Sequence, residues 1–112
     1  MIRRAFAISG SALLLCLILV VGVASGQKKG DPAKGKDVFD TCTMCHSADS
    51  PEKKMGPSLQ HLFQHKTLVN GKPVNDANVM AQINNGGNGM PPYGDQLSAD
   101  DKANLLAYLH TL

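Results

Sequence analysis

Cys42-Thr43-Met44-Cys45-His46 is the stretch on which the sequence turns. Two thiols three positions apart, with a histidine directly after the second, form the attachment signature of a c-type haem. Each thiol is placed to add to one vinyl group of a single porphyrin, and the histidine can turn its imidazole onto the iron. Covalent attachment holds the group without a large apolar pocket, which a short chain has difficulty building. The spacing therefore assigns Cys42 and Cys45 as the tethers of one haem c and His46 as an axial iron ligand. A haem so held exchanges an electron, so the motif bears on function as well as on fold.

The rest of the composition fits. Residues 27–112 are read as one domain, near the size at which a hydrophobic core alone is marginal and a staple is needed. Tryptophan is absent, with only three Phe and two Tyr in the chain; a buried porphyrin would supply the missing apolar bulk. The formal charge of +2 depends on Arg3 and Arg4, which lie in the N-terminal segment. Residues 27–112 carry nine Lys against eight Asp and one Glu, so a basic nucleic-acid binder is excluded. The charge is uneven, with eight Lys against five acids in residues 28–72 and one Lys against four acids in 73–112. This is either a solvated surface or a dipole that orients the domain toward a redox partner.

Residues 1–26 read as a secretory signal. A basic start, Met-Ile-Arg-Arg, precedes the apolar run Ala12–Val21, and Ala24 and Gly26 occupy the small positions before a cut at Gln27. The competing reading is an uncleaved anchor, since residues 5–24 are free of charge and long enough to span a bilayer; Ser9, Gly10 and Ser11 weaken it. Export to the periplasm is the expectation, with Cys16 leaving as part of the leader. The two remaining cysteines both belong to the haem motif.

Beyond the leader the pattern is helical with long connections. Asp31-Pro32 opens a helix with an Asp cap and Pro in the first turn, running through Ala33–Thr41. A short helical turn is expected at Leu59–Phe63 and a tight turn, with a small hairpin, at Asn70-Gly71, limited by Pro73. A second helix fits Asp76–Asn85, with Val79, Met80 and Ile83 on one side and Gly86-Gly87 ending it. Gly86–Gly94 reads as loop. Ser98 caps the last helix, with Asp101 three residues on, and Leu105, Tyr108, Leu109 and Leu112 make an apolar stripe. The fold class is all-α: three main helices whose long loops imply a bulky group beneath them.

A zinc reading competes on spacing, because Cys42-x2-Cys45 is followed after 15 residues by His61-x3-His65. The export signal, the neutral domain and Gly56-Pro57, where a finger needs strand and helix, count against it. His61 and His65 are then ordinary surface histidines. A thioredoxin-like Cys-x-x-Cys lacks its βαβ context.

The second axial ligand must come from elsewhere. Met1 leaves with the leader, and Met44 lies inside the motif. Met80 sits on a helix face as core packing. Met55 is only nine residues past His46, too near to cross to the opposite haem face. Met90, held by Pro91-Pro92 in a loop outside any helical stripe, is assigned as the sixth ligand, with His61, His65 or His110 as alternatives. A thioether is a soft neutral donor that favours ferrous iron and raises the potential. With both positions filled, no site remains for a substrate, so an electron carrier rather than an enzyme is expected.

Taken in order, these features resemble the class I cytochromes c, small soluble bacterial ones in particular, over residues 31–112. The resemblance implies that Gly35 and Phe39 of the first helix pack against Tyr108 of the last. It also implies that the Pro57 carbonyl in Gly56-Pro57-x-Leu59 accepts a hydrogen bond from His46, fixing its imidazole. Met90-Pro91 resembles the family's axial-methionine loop. A monomeric shuttle between a donor and an acceptor protein, within a respiratory chain, is the function implied. The alternative is a haem-based ligand sensor or weak peroxidase in which Met90 is displaced, motivated by the glycines of Gly86–Gly89. A tether to a larger respiratory complex would require residues 5–24 to stay attached.

Overall fold

The computed structural model describes Gly22 and residues 28–112. Apart from Gly22, the leader assigned to residues 1–26, its reading as an anchor and Cys16 lie outside the described residues. Among the described residues, no helix is long and apolar enough to cross a membrane.

Among the described residues, three α-helices carry the architecture: α1 (Pro32–Phe39), α2 (Asp76–Asn85) and α3 (Ala99–Leu109). Each begins where the sequence provides a cap. Asp31 accepts from the Ala33 and Lys34 amides, and Pro32 stands where a missing N–H costs nothing. Asn75 caps α2 by accepting from Asn78 N. Ser98 and Asp101 form a reciprocal capping box on α3. The expected first helix runs as α-helix only to Phe39; Asp40–Cys42 continues it as a tighter 3-10 turn. That tightening leads directly into the Cys42–His46 segment. The expected turn at Leu59–Phe63 is displaced to Leu62–Gln64, also 3-10, after His61 takes a left-handed conformation with φ 56°.

The helix ends of the domain seal against each other. α1 packs chiefly on α3, and the contact is close enough that Gly35 and Gly30 admit no side chain. A Cβ on Gly35 would overlap the Asn104 carbonyl, and one on Gly30 the Ala103 carbonyl. Phe39 and Tyr108 complete the crossing as a tilted ring pair, 5.2 Å between centroids at 54°, a geometry that aromatic quadrupoles favour. Gly35→Ala should therefore force α1 and α3 apart and cost about 3 kcal/mol by overpacking. Thermal unfolding of the haem-loaded protein checks this, and the midpoint should fall by several degrees.

Among the described residues, the buried apolar side chains are Phe39, Leu62, Val79, Ile83, Leu105 and Leu109. They come from all three helices and from the Leu62–Gln64 turn. The expected stripe on α3 holds, with Leu105 and Leu109 buried and Tyr108 and Leu112 packed against them. Between α2 and the 3-10 turn lies a small hairpin, residues 66–74. Gly71 turns it with φ 80°, and Thr67 and Pro73 form its isolated antiparallel bridge. Pro73 has no N–H to extend the ladder.

One fastening joins elements that local pattern does not connect. His110, at the end of α3, places Nε2 2.7 Å from the Asp76 carboxylate at the start of α2. Its ring stacks on Phe63, with centroids 3.6 Å apart.

Candidate haem site

The 3-10 turn after α1 brings both thiols and the histidine into one compact bend. His46 N donates to Cys42 O at 2.9 Å and Cys45 N to the same carbonyl at 3.1 Å. Cys42 and Cys45 are both free thiols. Burial pushes the Cys42 thiol above its ordinary range, with the Thr41 hydroxyl acting weakly in the opposite sense and the Cys45 thiol adding to the rise.

The imidazole of His46 is fixed from behind. Its Nδ1 lies 2.7 Å from the carbonyl oxygen of Pro57. A carbonyl only accepts, so Nδ1 carries the proton and Nε2 keeps its lone pair for a metal. Gly56 makes the approach possible, because a Cβ there would crowd the imidazole ring and the Cys45 carbonyl. The backbone adds a bond from Gly56 N to Cys45 O at 2.8 Å, and Lys54 Nζ reaches back to Thr43 O at 2.9 Å. The Gly56-Pro57 segment is thereby laid along the motif, and both glycine and proline have a physical reason to be there.

Met90 lies in the expected loop after α2. Within it, Gly86–Gly89 forms an ordered turn. Gly87 N donates to Met90 O at 2.9 Å and Met90 N to Gly87 O at 3.0 Å, with Asn88 at φ 53° and Gly89 at φ 89° between them. Two successive left-handed residues spelled Asn-Gly make the tight primed turn of two-residue hairpins. Gly86 follows helix α2 with φ 64°, and a Cβ there would strike the Met90 carbonyl. The methionine thus leaves α2 on a short, hydrogen-bonded lever, half-buried against the core cluster. Its sulfur receives the Gln82 side-chain amide at 3.8 Å. The sequence pattern of Asn88-Gly89 contained this turn; the Gln82 contact, eight residues back on α2, was not anticipated.

The other candidates are placed elsewhere. His61 and His65 are exposed, and His65 Nε2 lies 3.3 Å from Gln60 O. His110 is exposed and engaged by Asp76 and Phe63. Met80 is half-buried beside Val79 and Ile83, while Met44 and Met55 are 82% and 85% exposed. Among the described residues, no cluster of His, Cys, Asp and Glu has the form of a metal site, so the spacing that suggested zinc is not assembled in space.

The residues present fit a covalent haem. Two free thiols and a histidine with its metal-binding nitrogen unengaged occupy one turn. Around the small core, Leu59, Phe63, Leu68, Met80, Tyr93 and Leu97 remain only partly buried, an apolar lining wider than the core it surrounds. Ser47, beside His46, is buried with its hydroxyl unpartnered.

Comparison with known proteins gives a consistent result. A family model described as cytochrome C oxidase, cbb3-type, subunit III matches residues 30–109. A cytochrome c6 of Diacronema lutheri is 32% identical over 81 residues, which are 71% of this chain and 94% of that protein. The fold is similar to the crystal structure of cytochrome c6 from the diatom Phaeodactylum tricornutum, with a TM-score of 0.57 and 27% identity, covering 73% of this chain and 93% of that one.

Proposed function

Since this chain belongs to the class I mono-haem cytochromes c, an electron-transfer family whose c-type haem is covalently bound, we propose that it is an exported one-electron shuttle with His46 and Met90 as axial ligands. The observation that carries the reading is the His46 imidazole, held by Pro57 O at 2.7 Å with Nε2 free, in the same turn as the free thiols of Cys42 and Cys45. When bound, the haem supplies one-electron exchange between ferric and ferrous iron.

The chain's own residues make that exchange cheap in motion. Cys42 and Cys45 fix the position of the group, so no binding equilibrium enters the cycle. Pro57 keeps the His46 proton on Nδ1 and its ring orientation constant through both oxidation states. The Asn88-Gly89 turn holds Met90 on a short lever, so the thioether has little path to travel. A thioether on the second face favours the ferrous state and leaves no open position for a substrate. The domain exchanges electrons with donor and acceptor proteins that dock at the exposed haem edge, as a monomer. Removal of residues 1–26 would deliver it to the periplasm, where it would serve a respiratory chain. The rival, a ligand sensor or weak peroxidase that displaces Met90, drew its motive from glycines that here form a hydrogen-bonded turn.

The test is the optical spectrum, oxidised and reduced, of the full chain expressed with haem-ligation machinery. A sharp reduced c-type spectrum, a weak thioether-to-iron band in the oxidised form and no shift with carbon monoxide are expected. A high-spin spectrum, or ready carbon monoxide binding, would move the protein to the ligand-binding class.

A further inference from the structure

Gln82 is not held at Met90 by the methionine alone. Its amide lies in a directional chain of hydrogen bonds that begins in the hairpin turn. The Lys72 backbone N–H donates to Asn70 Oδ1 at 3.0 Å. Asn70 Nδ2 donates to Gln82 Oε1 at 3.2 Å. Gln82 Nε2 in turn donates to Gly86 O at 3.2 Å and to Met90 Sδ at 3.8 Å. The first donor is a backbone amide and one terminal acceptor a backbone carbonyl, and neither can reverse its role. Both side-chain amides between them therefore have one orientation only. The chain borders a polar cavity of about 160 Å³ lined by Asn70, Lys72, Asn78, Gln82, Asn85 and Gly86, so it is open to water rather than fixed by packing.

We propose that Asn70 is a positioning residue for the axial methionine: it sets which end of the Gln82 amide faces the Met90 sulfur. The inference rests on Met90 as an iron ligand. With Asn70 donating to Oε1, the positive N–H end of the Gln82 dipole is turned to the thioether. Reversal of that amide would place an oxygen beside the sulfur, favour the ferric form and lower the potential. Asn70 is exposed and touches neither the sulfur nor the histidine side, so it acts only through Gln82.

Asn70→Asp isolates the effect in the haem-loaded protein. The carboxylate keeps the acceptor for Lys72 N–H but has nothing to donate to Gln82, whose amide then turns its NH2 to the carboxylate. The measurements are the reduction potential and the proton resonance of the axial methionine methyl in the reduced protein. Both should move in Asn70→Asp, the potential downward, while the thermal midpoint stays close to that of the parent. Both should be unmoved by the same substitution in a Gln82→Leu background. Unchanged potential and methyl resonance in Asn70→Asp would overturn the proposal. So would an equal shift in the Gln82→Leu background, which would mark a simple effect of added charge. Met90→Ala tests the underlying ligation separately: if the thioether-to-iron band survives it, the ligand assignment fails, whatever Asn70 does.

Discussion

Met90→Ala is expected to abolish the weak thioether-to-iron absorption band and lower the reduction potential by on the order of hundreds of millivolts, since axial ligands set haem potentials over about 0.8 V. The size follows from what is lost. The thioether is a soft, uncharged donor that favours ferrous iron, and its replacement by water or hydroxide favours ferric iron. The side chain sits on a turn whose backbone bonds, Gly87 N to Met90 O and Met90 N to Gly87 O, do not involve it. The substitution therefore leaves the lever intact and removes only its tip. Carbon monoxide should then bind the reduced variant readily while failing to bind the parent. Spectroelectrochemistry and carbon monoxide titration check both halves. A preserved band would move the assignment to another methionine, whereas its absence from the parent would return the choice to His61, His65 or His110; the engagement of His110 by Asp76 at 2.7 Å already makes that histidine expensive to recruit.

The second large effect concerns stability. With Cys42 and Cys45 both replaced by Ala, the chain should retain no haem after denaturation and should lose its cooperative unfolding transition. Among the described residues six apolar residues are buried, a small core, and around it Leu59, Leu68, Met80 and Leu97 are only partly covered. A chain this short depends on a staple or a bound group to reach ordinary stability, and the covalent haem is the one the motif provides. Circular dichroism should show weakened helix and absent near-ultraviolet signal, and thermal melting should be broad. A sharp transition in the double variant would show that the polypeptide folds unaided.

How far the site could be read in advance depended on how local its determinants are. The haem motif, the caps at Asp31 and Ser98, the α3 stripe and Met90 are all short-range patterns, and the structure places each in the expected element. The contact of Gly35 and Phe39 with Tyr108 is long-range, yet it was accessible through resemblance, as was the Pro57 carbonyl. What escaped are pairings that depend on how the elements meet. Asp76 and His110 are 34 residues apart and share no pattern; Phe63 joins them from the 3-10 turn Leu62–Gln64. The glycines before Met90 were read as the motive for a displaceable ligand, whereas the positive φ of Asn88 and Gly89 makes them a turn. Gln82 belongs to no pattern on α2, and only the folded position of Met90 gives its amide a target.

The seal between α1 and α3 also fixes the order in which the domain can assemble. The first described residues are stitched to the last helix, with Asp31 N on Asn104 Oδ1 at 2.8 Å and Lys28 Nζ on Asp100 at 2.9 Å. A chain that emerges from its amino end therefore has no surface on which α1 can settle until Leu105 and Leu109 have followed it out. Contacts between distant parts of a chain form late, because closing the intervening loop is costly. Through that interval Cys42, half-buried once the helices close, stays open to modification. Closure of α1 over the Cys42 segment thereby waits on α3.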